Sequence, residues 1–293
     1  MRQLYLRYGA SRVRLTVGVA LLIAFCIECW PIGEPQASAT ALPLVQPAVA
    51  AIKTDAGDPY EKLAETAPLS LLEKGLQRCQ RSVRDYTVTL TKQERIGGKL
   101  RPEQQIEVKF KYEPFSVLMH WVRNPDKARR VIYVQGRRVD EQGRELALAE
   151  PEGAIARLLV PSITLPINGS EAQATSRRTI DQFGFENALT LVIKYCRLAR
   201  TESGFDLRYI GDGTVGDRET YVLERVLPYT GENNTYPDRR LVVHLDKQWL
   251  IPLSTHCYAD DARKELLASY VFTDVRLNVG LTDKDFTPEA NGL

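Results

Sequence analysis

The stretch DYTVTLTKQERIGGKL (residues 85–100) alternates apolar and polar side chains and then reaches two adjacent glycines. Tyr86, Val88 and Leu90 fall on one face of the alternation, and threonines fall on the other. A period of two predicts a strand with one buried face, and Gly97–Gly98 predicts a tight hairpin turn. The stretch therefore predicts the first hairpin of an antiparallel sheet.

The same alternation continues beyond this hairpin to about residue 149. The apolar side chains that we expect on its buried face include Ile106, Val108, Phe110, Tyr112, Phe115, Val117, Met119, Trp121 and Tyr133. Gly136 follows the run RRVIYVQ and predicts another turn. This part of the chain is predicted to form a long antiparallel meander with one apolar face.

Helical spacing replaces the alternation in two places. A helical region is predicted from Asp58–Pro59 to about Val83, bent or broken at Pro68. A second helix is predicted over Phe185–Arg200. Residues 150–183 show no clear period. Turn signals such as GDGTVGD (211–217) separate five further predicted strands, at 204–211, 218–227, 239–246, 249–259 and 265–278.

These elements predict an α+β fold in one domain over residues 59–293. A single antiparallel sheet of about 10–11 strands must curl or split, because strongly twisted open sheets rarely stay flat at that width. We expect one large curved sheet, an unclosed β-barrel, with helices covering its concave face.

The last predicted strand leads into the chain end, SYVFTDVRLNVGLTDKDF (269–286). Asn278 and Gly280 tolerate positive φ and are suited to ending the strand. We expect Leu281 and Phe286 to fold back as apolar plugs at the sheet edge. Asp283 and Asp285 between them are expected to be solvated turn residues, so this ending is interpreted as structural.

The N-terminus has the pattern of an export signal. Four arginines precede the thirteen residues LTVGVALLIAFCI (15–27), which carry no charge. As a helix they would extend ~20 Å, against ~30 Å of bilayer hydrocarbon. We expect residues 1–39 to be a signal peptide and 40–58 a disordered linker, giving a periplasmic or secreted protein. An uncleaved inner-membrane anchor is the alternative.

The charge balance does not favour a nucleic-acid partner. Removal of residues 1–39 takes four of the 39 basic and two of the 37 acidic residues, leaving 35 of each. A nucleic-acid-binding protein needs a positive field to neutralise phosphates. The pairs Arg129–Arg130, Arg137–Arg138 and Arg177–Arg178 are expected on solvated faces, with a local basic patch as the alternative.

No pattern of catalytic or metal-binding residues stands out. His120, His244 and His256 are the only histidines, and no G-x-S-x-G motif accompanies them. A Cys257/His244/Asp246 arrangement is the catalytic alternative. Metal-capable side chains occur at HCYADD (256–261) and HLD (244–246), but neither spacing matches a recognised metal site. We therefore expect no enzyme activity, catalytic residue, metal or cofactor. Cys79, Cys196 and Cys257 are expected to be free thiols, a Cys79–Cys196 bridge being the alternative.

Several ordered motifs resemble a known family of exported bacterial proteins. They are Glu94–Arg95–Ile96, Glu113–Pro114–Phe115–Ser116–Val117, Val131–Ile132–Tyr133–Val134, Leu159–Val160–Pro161 and Leu277–Asn278–Val279–Gly280–Leu281. In this order they resemble the family built on domain of unknown function 1571, over roughly residues 70–290. The order of helices and meanders is similar to that of the periplasmic lipoprotein carriers LolA and LolB. That resemblance implies an unclosed barrel around an apolar cavity covered by helices.

The apolar face of the sheet is the candidate binding surface. Its candidate residues are Tyr86, Val88, Leu90, Phe110, Tyr112, Phe115, Met119, Trp121 and Tyr133. They either pack as core under the helices or leave a cavity for an acyl chain. Burial of about fourteen methylenes at ~0.8 kcal/mol each would contribute roughly 11 kcal/mol before ordering costs.

We therefore expect a carrier that binds the acyl chain of a lipid or lipoprotein and is a monomer. The first alternative is an envelope sensor or interaction module with a protein partner. The second is an envelope-polymer hydrolase, which no feature of the sequence supports.

Overall fold

The computed structural model describes Asp58, residues 60–231 and residues 235–293. The predicted signal peptide (1–39) and the predicted linker, except Asp58, lie outside the described residues, and both stay predictions. Within the described part of the chain, no helix is both long enough and apolar enough to cross a bilayer.

Helices flank and interrupt a long succession of strands. The helices are α1 (Glu61–Thr66), α2 (Pro68–Ser82), α3 (Ala154–Leu159), α4 (Ser170–Gln173) and α5 (Phe185–Ala199). The strands are β1 (Asp85–Ile96), β2 (Lys99–Leu100), β3 (Gln104–Lys111), β4 (Ser116–Arg123), β5 (Ala128–Val134), β6 (Leu146–Pro151), β7 (Ile163–Pro166), β8 (Asp206–Val215), β9 (Arg218–Val226), β10 (Arg240–Asp246), β11 (Pro252–Tyr258) and β12 (Leu266–Leu277). Short 3-10 turns occupy Ile180–Gln182, Asp283–Phe286 and Glu289–Asn291.

All twelve strands belong to one antiparallel sheet. Its order is β7-β6-β5-β4-β3-β1-β12-β11-β10-β9-β8, and the two-residue β2 pairs only with β1. β7 and β8 are the edges and do not pair with each other, so the sheet is unclosed. The predicted α+β fold with one large unclosed antiparallel sheet is confirmed.

The predicted helices form where their apolar spacing placed them. Pro68 is the first residue of α2, where its missing N–H costs nothing, so it separates α1 from α2. The buried residues of α2 and α5 recur at helical intervals, and the two helices pack together on one face of the sheet. We call this face the inner face. The largest hydrophobic cluster lies between it and the helices.

Two parts of the chain differ from the prediction. β8 continues through Gly211 and Gly213, and the turn comes at Gly216. Gly213 lies against the ring of His244 and the side chain of Val222, so a side chain at this position would collide with them. The unpatterned segment 150–183 contains α3, β7 and α4, which are too short for a clear period.

The C-terminal residues after β12 lie in a different place from the one predicted. β12 is a central strand, so the residues after it are not at a sheet edge. Phe286 is fully buried against Leu118, Ile132 and Val134, which point away from the inner face. The chain end therefore covers the outer face of β4 and β5.

The residues around the end of β12 also bind the beginning of β1. The Asn278 side chain accepts a hydrogen bond from the Arg84 backbone N–H and donates one to the Ser82 carbonyl, both at 2.8 Å. The Asp85 carboxylate accepts the Gly280 N–H at 3.0 Å. Asp283 pairs with Lys111, so it is an ion-pair partner and not only a solvated turn residue. The ending is structural, as predicted.

Close packing between α2 and the β10–β11 turn leads to a first prediction. A Cβ atom at Gly75 would collide with the backbone carbonyl of Leu250. Because backbone on both sides would have to move, we expect Gly75→Ala to lower the free energy of unfolding by about 2 kcal/mol. Ser70→Ala, on the exposed side of the same helix, should change it by no more than about 0.5 kcal/mol. Urea denaturation of both variants measures this. Equal stability of Gly75→Ala and wild type would contradict the packing described.

A buried carboxylate on the outer face leads to a second prediction. Glu224 is fully buried and pairs with Arg208, Arg240 and Arg263. Burial acts to raise the pKa of Glu224, but hydrogen bonds and charges from the three arginines outweigh it and hold the pKa at about 2. A carboxylate with a lowered pKa stabilises the fold above its unfolded pKa, and this stabilisation is lost as pH falls towards the folded value.

We therefore expect Glu224→Gln to cost about 2 kcal/mol of unfolding free energy at pH 7. The difference from wild type should shrink as the pH falls from about 4.5 towards 2. Denaturation at a series of pH values measures it. The control is Glu219→Gln, an exposed position on the same strand without an ion-pair partner among the described residues. A pH-independent difference would show that the ion pairs do not cause the stabilisation.

Candidate ligand-binding cavity

A cavity of about 410 Å³ lies at one end of the inner face. The helices α2 and α5 fill the inner face towards the other end, where their buried residues join the main core. Segment 167–192, which contains α4 and the start of α5, lies over the cavity. The volume is within the roughly 300–1,000 Å³ typical of small-molecule sites.

Most of the cavity wall is apolar. From the strands it includes Leu90, Ile106, Met119, Trp121, Val131, Ile163, Leu165, Leu241 and Phe272. From the covering segment it includes Ile167, Ile180, Phe183, Leu191 and Val192. An apolar wall of this kind favours an apolar ligand or part of a ligand.

Small side chains are what leave the space open. Ala128, Ala147, Ala149, Ala172 and Ala188 all line the cavity. Larger apolar side chains at these positions would fill it, as they do elsewhere on the inner face. The sequence signal for this is ELALAE (145–150), in which the inward residues Ala147 and Ala149 of β6 are both small. These alanines are not among the predicted site residues.

The structure divides the nine predicted site residues into two groups. Leu90, Met119 and Trp121 line the cavity. The other six, Tyr86, Val88, Phe110, Tyr112, Phe115 and Tyr133, do not line it and pack in or against the hydrophobic clusters. A role for the first three in ligand binding stays a prediction.

Aromatic rings form the packed region beside the cavity. The ring of Tyr86 stacks between Phe110 and Phe185, with centroid distances of 4.7 and 4.5 Å. The ring of Phe110 also packs against that of Phe183, a residue of the cavity wall, with a centroid distance of 5.8 Å. These contacts hold the start of α5 against β1 and β3 and fix the cavity boundary on that side.

One buried carboxylate lies in the cavity wall. Glu94 accepts hydrogen bonds from the Tyr270 hydroxyl and from the Arg177 backbone N–H, and Lys92 Nζ is 3.1 Å from its Oε2. Burial acts to raise the pKa of Glu94, but the Lys92 charge and these hydrogen bonds outweigh it, so the pKa is lowered. Glu94 is therefore an ionised, fully engaged acceptor and is poorly suited to act as a general acid.

A second buried charge pair is located elsewhere in the wall. Arg225 Nη2 is 2.9 Å from both carboxylate oxygens of Asp238, and both side chains are almost fully buried. Burial acts to lower the pKa of Arg225, but the Asp238 charge outweighs it, and the pKa is raised. The pair keeps two buried charges compensated at the β9–β10 side of the cavity.

The arrangement considered for nucleophilic catalysis does not form. His244 contacts Thr220 on the outer face, whereas Cys257 packs against the inner-face core and lines the cavity. Burial raises the pKa of the Cys257 thiol to about 12, so it is not an activated nucleophile. All three described cysteines are free. In the described residues, no group of three or more His, Cys, Asp or Glu side chains is placed to hold a metal ion.

Solved structures similar to this chain include the following three. A putative outer membrane lipoprotein-sorting protein domain from Vibrio parahaemolyticus is 16% identical, with 75% of this chain and 98% of that chain covered and a TM-score of 0.34. A LolA superfamily protein from Nitrosomonas europaea is 11% identical, with 75% and 97% covered and a TM-score of 0.34. The lipoprotein LppX from Mycobacterium tuberculosis is 10% identical, with 74% and 97% covered and a TM-score of 0.40.

At these identities and TM-scores the similarities carry no conclusion about this chain. Among curated proteins, none matches the chain. The family model described as "Protein of unknown function (DUF1571)" matches residues 83–292, which include every strand of the sheet. The predicted resemblance is thus confirmed, and the chain belongs to the DUF1571 family.

Proposed function

We propose that this protein is a non-enzymatic carrier in the cell envelope that binds an acyl chain of a lipid or lipoprotein in the inner-face cavity. The observation that carries the proposal is the apolar cavity of about 410 Å³, which is kept open by alanines on β5, β6, α4 and α5. Its occupant would exchange water for apolar contacts, which is favourable at ~0.8 kcal/mol per methylene.

The placement of charges in the wall supports an uncharged chain over a charged substrate in the body of the cavity. The buried carboxylates of Glu94 and Asp238 are both engaged, by Lys92 and Arg225 respectively. Buried charges that are already paired have little to offer a second polar group. Apolar contact is therefore the main source of affinity.

A second candidate function is an interaction module of the envelope. The observation that favours it is α3, on which Ile155, Leu158 and Leu159 are exposed by 78%, 84% and 76%. Contiguous exposed apolar side chains commonly mark a surface that another protein covers. If the protein binds no acyl chain in the experiment described below, this second function is favoured.

The third prediction uses Trp121 as a reporter of cavity occupancy. A nitroxide-labelled methyl stearate, which is uncharged, should quench the fluorescence of Trp121 with a Kd on the order of 1 μM. Trp30, which lies in the predicted signal peptide, is replaced by Phe in all proteins compared. Trp121→Phe should then remove most of this quenching, because Trp121 lines the cavity and Trp249 does not. Titration of the full chain in detergent-free buffer measures it.

A cavity-filling variant tests the location. Ala149→Phe places a ring in the cavity, and we expect it to weaken binding at least about tenfold while thermal stability is kept or raised. Ala262→Phe, at an exposed turn position, is the matched control and should bind as wild type. Equal affinity of Ala149→Phe and wild type for the labelled ester would show that the acyl chain binds outside this cavity. No binding by wild type would overturn the proposed function.

A further inference from the structure

A second, polar space adjoins the apolar cavity. It has a volume of about 460 Å³ and is lined by Arg95, Ile96, Gly97, Gln173, Ser176, Arg177, Arg178, Thr179 and Gln182. Ser176, Arg178, Thr179 and Gln182 line the apolar cavity as well. These four residues therefore form a common border of the two spaces.

The polar space is basic. Its wall contains three arginines and no carboxylate. Two carboxylates outside this wall pair with residues of the region: Glu265 is 3.8 Å from Arg95, a long ion-pair distance, and Glu94 is paired with Lys92. The region thus holds an excess of positive charge beside an apolar cavity.

Backbone carbonyls hold two of the arginines without neutralising them. Arg95 donates to the carbonyls of Leu266 and Gly98, each at 3.0 Å. Arg177 donates to the carbonyls of Arg95 and Pro237, at 3.5 and 3.4 Å. A carbonyl accepts a hydrogen bond but carries no full charge, so both guanidinium groups keep their attraction for an anion.

Arg178 differs from its two neighbours. The residue is half-buried, and its guanidinium has no hydrogen-bond or ion-pair partner among the described residues. It also borders both spaces. A partly buried arginine with free donors is a strong site for a carboxylate or phosphate, which can accept two parallel N–H bonds from it.

We propose that the ligand of this cavity is an amphiphile with an anionic headgroup, a carboxylate or a phosphate. Its chain lies in the apolar cavity, and its headgroup binds Arg178 in the adjoining basic space. Arg95 and Arg177 add positive charge around the headgroup. This inference rests on the proposed function and names the class of ligand that the cavity selects.

The experiment compares four unlabelled competitors against the nitroxide-labelled methyl stearate. Palmitate and hexadecyl phosphate carry both an acyl or alkyl chain and an anionic headgroup. Hexadecanol carries the chain without the charge, and inorganic phosphate carries the charge without the chain. We expect palmitate and hexadecyl phosphate to compete about tenfold better than hexadecanol, and inorganic phosphate not to compete. The better of the two anions identifies the headgroup.

Arg178→Gln should reduce the affinity for the anionic competitors about tenfold and leave that for hexadecanol unchanged. Arg200→Gln is the matched control, since Arg200 is an exposed arginine that lines neither space. Unchanged binding of the labelled ester shows that each variant is folded. Arg178→Glu should reverse the preference and favour hexadecanol.

Two results with palmitate and hexadecanol would overturn the inference while leaving the proposed function in place. The first is equal competition by hexadecanol and palmitate, with no effect of Arg178→Gln. The second is an equal loss for hexadecanol and palmitate in Arg178→Gln, which would make Arg178 a structural residue. Failure of the labelled ester to bind at all would instead overturn the proposed function itself. If inorganic phosphate competes as strongly as hexadecyl phosphate, the basic space is a site for free anions, and the proposal of an amphiphilic ligand is wrong.

Discussion

The fold depends on the pairing of β1 with β12. These are the two longest strands, they lie at opposite ends of the described chain, and they meet at the centre of the sheet. β3–β7 extend from one side of this pair and β8–β11 from the other. A one-residue slip of β1 would turn Tyr86, Val88 and Leu90 from the inner face to the outer face. The pairing therefore fixes which side chains reach the core and the cavity.

Hydrogen bonds at the end of this pair keep its register. Asn278, in the left-handed conformation at φ 55, connects the last residue of β12 to the end of α2. Asp85 receives the backbone N–H groups of Asn278 and Gly280 through its carbonyl and carboxylate. Helix, first strand and last strand are thus joined at one point. These hydrogen bonds explain why Asn278 and Gly280 follow the last strand. Phe286 then anchors the chain end on the outer face, where it is buried.

The cavity follows from the mismatch between a wide sheet and short helices. An eleven-strand path presents more inner face than two helices of fifteen residues can cover. A helix of that length extends roughly 22 Å. α2 and α5 fill one end, and segment 167–183 covers the other end without filling it, because alanines line the space there. Buried charges in that region, at Glu94 and Arg225, are each paired, since an unpaired buried charge would destabilise the fold. Arg178 is only half-buried, so it can lack an ion-pair partner among the described residues at a lower cost than a fully buried charge.

The sequence by itself determined the strands of the two meanders, the two long helices and the family, because these depend on local periodicity and on ordered motifs. It also predicted that Leu90, Met119 and Trp121 face inward, since alternation along one strand assigns the face of each residue. Only the tertiary structure decided which inward residues line space and which pack in the core. Tyr86 and Trp121 have the same pattern in the sequence, yet Tyr86 stacks under α5 and Trp121 faces the cavity. Tyr86 and Trp121 differ because a helix packs against Tyr86 and open space faces Trp121. Which of these a residue meets depends on parts of the chain that are far away in sequence. For the same reason, Arg177–Arg178 could be read as a solvated pair until the fold placed it beside β1 and the cavity.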